Sequence, residues 1–336
     1  MKAYAKSGLE IFAVLIVALA PFFIASRIWW AGIATVAIFT LFVAVFATAT
    51  LGPEVGIRFL LAFVVIGTVA IAVSGSPLLA ALLVAACAYA IAMCALRGLT
   101  TAMLQIAIFV PYLIHASPAP PPGGSRDAAY FIAVAVTILL AGTWGTAIAW
   151  LVLRNKPLPK RPAIPSRHDA VLAGGIVAVV TGLITYVALS RAASTEWVWI
   201  LLTIFILTKP TPGLNWSRAQ SRVLGTGIGV AVAALVGVLG LPTLVLNLLG
   251  ALTMTAALTL QLKGQPYWIY ASLLTPAVIL VDSAANDTGE LALQRFVFTV
   301  IGAVFAIALA AAINAFVITK DEEDTDTAPG ATVSPS

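Results

Sequence analysis

Apolar runs long enough to cross a bilayer fill most of this chain, and no other feature limits its fold so sharply. They fall at 8–25, 29–49, 57–74, 78–96, 99–115 and 129–153, then, after a polar interval, at 170–190, 193–208, 222–240, 243–262, 266–282 and 292–318. A helix needs about 20 apolar residues to span the hydrocarbon. Backbone amides inside lipid find no water, so a spanning segment is a helix or part of a closed barrel, and unbroken rather than alternating runs select helices. With 61% of the residues hydrophobic and 9% charged, against about 25% charged in a soluble domain, the chain cannot hide its apolar surface from water. The expected fold is an all-α polytopic membrane protein of about twelve transmembrane helices, with the lipid bilayer as its solvent.

Charge and cysteine content narrow the function. The net charge is +5, but the basic residues stand singly at the ends of apolar runs and form no stripe with aromatics, which excludes a nucleic-acid surface. Cys87 and Cys94 lie one heptad apart in a single apolar run and read as small core residues. Two thiols and the distant His115 and His168 make neither a disulfide framework nor a metal site. The first run follows Lys2 and Lys6 and ends near Ala25-Ser26, the layout of a signal peptide; the repeat described below assigns it as a span instead.

Orientation follows from lysine and arginine, because basic loops resist translocation. With the N-terminus inside, the inner segments hold Lys2, Lys6, Arg58, Arg97, Arg154, Lys156, Lys160, Arg161, Arg167, Lys209, Arg218, Arg222, Lys263 and Lys320, and the outer ones only Arg27, Arg126, Arg191 and Arg295. The outer segment after Val281 carries Asp282, Asp287 and Glu290. A multi-pass protein of the inner or plasma membrane with both termini cytoplasmic is the expectation. The run at 193–208 is short, so its helix must start early, near Glu196, or the membrane must thin locally.

The two halves can be laid on each other. Arg97-Gly98 is followed by Pro111 and Ser117 much as Lys263-Gly264 is followed by Pro276 and Ser283. Each half opens its second span with tryptophans (Trp29-Trp30; Trp197 and Trp199), continues to a Pro/Gly turn with arginine (Pro53, Gly56, Arg58; Pro212, Gly213, Arg218) and then a Gly-Thr pair (Gly67-Thr68; Gly225-Thr226). Six spans per half is an even number, so the copies share one orientation and are related by an axis along the membrane normal. This gives a first bundle at 1–153, a basic cytoplasmic linker at 154–169, a second bundle at 170–319 and an acidic, disordered cytoplasmic tail at 320–336. A smaller echo lies within the second half, where Arg222 to Gly229 and Arg295 to Gly302 share Arg-x3-Thr-x2-Gly. Helical spacing sets these three residues on one face. Thr and Gly permit close packing in lipid while Arg marks the interface; a role in binding an anion is the other reading.

Trp197-Val-Trp-Ile-Leu-Leu-Thr203, Lys209-Pro210, Arg218-x3-Arg222-Val-Leu-Gly-Thr-Gly-Ile-Gly229, Leu273-Leu-Thr-Pro276-Ala-Val-Ile-Leu-Val281 and Arg295 to Gly302 together resemble the fusaric acid resistance and aromatic acid exporter family, over roughly residues 175–315. The resemblance implies an inner-membrane exporter of small, often aromatic, organic acids, working with a periplasmic adaptor where an outer membrane exists. Many members carry a large cytoplasmic domain between or after the bundles, whereas here only Arg154 to Asp169 joins them.

No nucleophile-histidine-carboxylate set, metal-ligand spacing or phosphate loop is legible, since Gly225-Thr-Gly-Ile-Gly229 lacks the strand and lysine of such loops. The chain is read as a transporter needing no cofactor rather than as an enzyme. Lys209, Arg218 and Arg222 form an inner basic cluster that would draw an organic anion, arginine gripping carboxylate bidentately, and Thr226 and Arg295 extend the candidate path. Topology alone also accounts for these charges. Pro111 and Pro276 each remove an amide donor and are expected to kink the fifth span of their half at matching depth. Glu196 and Asp282, at outer span ends, are the carboxylates to consider for proton coupling. Trp197, Trp199, Trp268 and Tyr267 sit near span ends, where an interfacial belt accounts for them and an aromatic substrate would stack on them in the other reading. An anion channel formed at a homo-oligomer axis, or a non-transporting membrane scaffold, would use the same helices.

Overall fold

The computed structural model describes residues 2–154, 158, 164–191, 197–208, 216–262, 264–282 and 288–326. Among them are twelve helices and no strand: α1 (Lys2–Ile28), α2 (Gly32–Leu51), α3 (Pro53–Ala72), α4 (Pro77–Ala95), α5 (Thr100–His115), α6 (Ala128–Leu153), α7 (Arg167–Ser190), α8 (Val198–Leu207), α9 (Trp216–Val238), α10 (Thr243–Leu262), α11 (Tyr267–Asp282) and α12 (Thr288–Asp326). Seven are long and apolar enough to cross a membrane, and five apolar stretches are shorter. Large apolar side chains such as Leu61, Val65, Leu82, Leu140, Val179, Leu183 and Leu235 point outward, as lipid-facing residues do. This is a multi-pass helical membrane protein.

Local chemistry starts and stops the helices where the runs end. Ser76 accepts from the Leu79 amide and Pro77 opens α4, Ser166 accepts from Asp169 N at the start of α7, and Asp127 caps α6 through Tyr130 N, each satisfying an otherwise orphaned donor. The Tyr130 amide, with the Ser125 hydroxyl, holds the exposed Asp127 carboxyl below the usual carboxylate range. Gly98 and Gly264 take φ of 67° and 71° in the turns that lead into α5 and α11, a conformation other residues resist. The segment before α6 is pinned by Trp30 Nε1–H donating to Ala119 O, the Tyr130 hydroxyl donating to Pro118 O, and Arg126 donating to Ser74 and Ser117.

In the first half α2 packs on α3, α5 and α6, α3 on α5 and α6, and α4 on α5; in the second α8 packs on α12, α9 on α11 and α12, and α10 on α11. The halves meet along α4 and α7, along α1 and α10, and where α5 touches α8. The α4–α7 seam is made of small residues. A Cβ on Gly174 would stand 2.6 Å from that of Ala92, and one on Gly182 would stand 3.1 Å from that of Ala85. Between helices in lipid there is no hydrophobic drive, so close van der Waals approach does the holding. Gly174→Leu is therefore expected to cost about 1–3 kcal/mol by overpacking, read as a lower unfolding temperature in detergent; an unchanged temperature would mean the seam is not what joins the halves.

Helix ends can be set against the sequence reading at three places. Of the span expected at 193–208, the described residues 197–208 hold the 10 residues of α8, about 15 Å of helix, and the early start expected near Glu196 lies outside the described residues; the extended C-cap Thr208 precedes Lys209-Pro210, where the proline restricts the residue before it. The basic linker is shortened because α7 begins at Arg167, which Ser166 caps. The acidic tail does not start at Lys320: α12 continues through Asp321-Glu322-Glu323-Asp324 to Asp326, and glutamate is a good helix former.

Candidate functional site: two buried arginines and unpartnered threonine hydroxyls

The Arg-x3-Thr-x2-Gly face expected from sequence is the buried face of α9: Arg222, Gly225, Thr226 and Gly229 all point inward. The glycines set the approach of α11. A Cβ at Gly225 would lie 2.5 Å from Trp268 O, and one at Gly229 would lie 2.6 Å from Thr275 Cβ and 2.8 Å from Pro276 Cδ. That closeness brings Tyr267 to the arginines. Arg222, 2% exposed, donates from Nη1 to the Tyr267 hydroxyl at 3.2 Å, its Nε has no partner, and no described carboxylate pairs with it. Arg218, one turn away, sits 5.1 Å over the Tyr267 ring. Tyr270 packs beside Tyr267, the rings 6.0 Å apart.

The echo on α12 is buried in the same way. Arg295 is 3% exposed and lies 3.5 Å over the Trp199 ring, a cation–π contact. Gly302 lets α12 rest on α8, since a Cβ there would meet Thr203 Cβ at 2.8 Å and Ile200 O at 2.9 Å. Ala219 shares an apolar cluster with Ala303 and Ala306, and Ala233 shares another with Ala292, while Gly227 abuts Phe296. These pairings run α9 antiparallel to α12 and set Thr226 level with Thr299.

Unpartnered hydroxyls concentrate in this region, although Thr208 Oγ1 at the end of α8 and Asn247 Oδ1 on α10 also lack partners. A threonine in a membrane helix normally donates to the carbonyl four residues back, as Thr40, Thr68, Thr137, Thr181, Thr185, Thr255, Thr259 and Thr275 do here. Thr203, Thr226 and Thr299, at most 1% exposed, leave their Oγ1 without any partner. Buried polar atoms without partners are rare and costly. Three of them together with an incompletely bonded guanidinium mark a place built to meet something polar.

Of the residues expected from sequence, Arg218, Arg222 and Thr226 come together on α9, and Arg295 stands apart on α12. Pro276 is buried against Gly229 and Pro111 is buried within α5. Lys209 and Glu196 lie outside the described residues; Asp282 is the last residue of α11, and its side chain is not described. Trp197 and Trp199 correct the interfacial-belt reading. They are 2% and 9% exposed and face the first half, where Trp197 Nε1–H donates to His115 Nδ1 and Trp199 meets the edge of Tyr112. Span ends look alike in sequence whether they face lipid or a neighbouring bundle, so only packing could tell. The roles of Tyr267 and Trp199 as arginine partners were missed for the same reason. A groove between α4, α7 and α8, lined by Ala88, Ala92, Val177 and Phe205 among others, is apolar with room for about one water, and it is not part of this cluster.

Residues 176–309, from α7 into α12, match the family described as fusaric acid resistance protein-like. The match lies within the second half of the chain. Both arginines and all three unpartnered threonines fall inside it. An uncharacterized protein of Haemophilus influenzae (strain ATCC 51907 / DSM 11121 / KW20 / Rd) is 31% identical over 109 residues, which is 32% of this chain and 15% of that protein, so the alignment touches a small part of the relative. No solved structure matches the chain.

Proposed function

We propose that the chain exports small organic acids, aromatic ones included, by secondary transport across the inner membrane, through the fusaric acid resistance protein-like domain. One observation carries the reading: Arg222, buried in that domain, keeps its Nε–H without a partner one turn from the unpartnered Thr226 hydroxyl. A charge that deep is expensive. Arginine at a span end that served topology alone would extend its tip to water. A carboxylate accepting from the guanidinium fork would satisfy it and place the rest of the substrate near Tyr267 and Tyr270.

The same proposal makes the two halves parallel copies, with both termini cytoplasmic so that Arg222 lies toward the cytoplasm. Helix pairings support it: α2 with α6 answers α8 with α12, α3 with α5 answers α9 with α11, α3 with α6 answers α9 with α12, and α4 with α5 answers α10 with α11. Across the halves α4 with α7 answers α10 with α1. Gly145 presses on Leu41 and Ala44 as Gly302 presses on Ile200 and Thr203. On that superposition Ile138 occupies the place of Arg295, and Gly142 the place of Thr299. The first bundle is then the apolar copy, and the second alone carries the path.

Vesicles reconstituted with the full chain and loaded with benzoate test this. Wild-type protein is expected to release benzoate when a proton gradient is imposed, and Arg222→Gln to lower that rate about tenfold or more, as loss of a hydrogen bond to a charged group predicts. Equal rates in the two proteins would remove Arg222 from the path, and flux persisting without any gradient would favour a channel.

A further inference from the structure

Arg222 meets the Tyr267 hydroxyl through Nη1, at 3.2 Å, while its Nε has no partner. Nη1 is the terminal nitrogen on the Cδ side of a guanidinium, and the Nε–H and Nη2–H donors lie together along the other edge. We propose that Tyr267 is a positioning residue: it holds Arg222 by Nη1 so that the Nε–Nη2 edge stays open for a carboxylate received side-on, with the Thr226 hydroxyl as a further donor. This rests on the exporter reading above and adds to it the edge of the arginine that is used and the residue that presents it.

The surroundings of Tyr267 leave it little freedom. It opens α11 just after the turn in which Gly264 takes a φ of 71°. Gly225 of α9 seats that turn closely, since a Cβ there would lie 2.5 Å from Trp268 O and 2.7 Å from Ala271 Cβ, so the backbone beside Tyr267 cannot move toward α9. Arg218 lies 5.1 Å over the Tyr267 ring, and the Tyr270 ring packs 6.0 Å from it. A ring held in this way keeps its hydroxyl in one place, and the hydroxyl fixes the guanidinium plane through Nη1. A free arginine side chain carries about 2 kcal/mol of rotamer entropy. Ordering it before the substrate arrives removes that cost from binding.

The open edge suits one chemistry. Parallel N–H donors in a rigid fork match the coplanar oxygens of a carboxylate, whereas a lysine would supply the charge without the fork. Thr226 stands one turn along the same buried face of α9, 1% exposed, with its hydroxyl unpartnered. Side chains on a helix lean toward its N-terminus, so Thr226 leans back over the turn that carries Arg222 and can reach an oxygen lone pair that the fork leaves unused. The ligand class that fits is a monocarboxylate bound through both oxygens.

Equilibrium binding of radiolabelled benzoate to the purified full chain tests this, with unfolding temperatures measured on the same preparations. Wild type is expected to bind saturably. Tyr267→Phe keeps the ring under Arg218 and deletes the hydroxyl, so it is expected to weaken benzoate about three- to tenfold with binding capacity unchanged. Arg222→Lys keeps the charge and loses the fork, with an expected loss of about tenfold or more. In the Arg222→Lys background Tyr267→Phe is expected to change affinity by less than about twofold, because no guanidinium is left to position. Thr226→Val is expected to bind about three- to tenfold more weakly and to unfold at an equal or higher temperature. It carries the test if Tyr267→Phe does not fold, and wild-type affinity in it would then overturn the site. A Tyr267→Phe protein with wild-type affinity, or with an equal loss in both backgrounds, would overturn the positioning role and leave the exporter reading standing. Wild-type affinity in Arg222→Lys would rule out the side-on fork, and wild-type protein that binds no benzoate would sink both readings.

Discussion

Arg222→Met is expected to abolish benzoate transport and to raise the temperature at which the protein unfolds. The two effects have one origin. In the resting protein Arg222 is almost wholly buried, with one hydrogen bond to Tyr267 and a bare Nε. Replacing a poorly compensated buried charge with an apolar side chain of similar length is often stabilising, by about 1–4 kcal/mol, because a desolvation cost disappears with little to set against it. The Tyr267 hydroxyl loses its donor, which subtracts about 1 kcal/mol from that gain. Carboxylate binding loses its ion pair at the same time, about 2–5 kcal/mol, or about 30-fold and more in affinity. An arginine kept for packing or topology would behave otherwise: its removal would lower the unfolding temperature and leave transport in proportion to the protein that remained folded. Thermal unfolding in detergent and vesicle flux on the same preparation distinguish the two. A destabilised, still active Arg222→Met would end the case for a substrate-binding arginine.

Much of the framework was legible because lipid leaves few choices. Runs such as Pro77 to Ala95 and Ala128 to Leu153 are helices because nothing else closes their backbone hydrogen bonds in hydrocarbon, and the turn glycines Gly98 and Gly264 are glycines because of their positive φ. The Arg-x3-Thr-x2-Gly spacing was equally informative, since three residues at helical spacing must share a face and small ones invite a neighbour. What the neighbour would be was not legible. Tyr267 and Trp199 reach the arginines across helix contacts whose partners lie far away in the chain, and periodicity carries no record of those. Trp197 and Trp199 show the same gap: a tryptophan at a span end is equally at home in a lipid interface and in a seam between bundles, and here the seam won. The length of α8 was half legible, in that the short run before Lys209-Pro210 gave warning while the 10-residue helix required the fold. The unpartnered hydroxyls could not have been found from sequence, because Thr203 and Thr275 look identical there and only Thr275 bonds to its own helix.

Gly302→Ala is expected to disable the domain, whereas Gly145→Ala in the first bundle is expected to be tolerated. One methyl group is added in each case, and the difference lies in what it meets. At Gly302 the new carbon would stand 2.9 Å from Ile200 O and 3.0 Å from Ile200 Cα as well as 2.8 Å from Thr203 Cβ. Two of those three atoms are backbone, so α8 must move as a body, and a short helix held by Trp197 and Trp199 against α5 has little room to move. At Gly145 the nearest atom is the end of the flexible Leu41 side chain at 3.0 Å, with Ala44 Cβ at 3.4 Å and the Leu41 Cα at 3.6 Å, so a rotamer shift absorbs most of the strain. The expected costs are about 1–3 kcal/mol or more at Gly302 and under about 1 kcal/mol at Gly145. Because Gly302 seats α12 on the same short α8 whose Trp199 stacks under Arg295, pushing α8 away would also separate the guanidinium from its ring, so flux should fall further than the loss of stability accounts for. Flux per folded molecule and unfolding temperature, measured for both variants, would reveal this. If Gly145→Ala and Gly302→Ala prove equally damaging, both bundles bear on their second helix with the same demand, and the second bundle would lose its claim to be the specialised one.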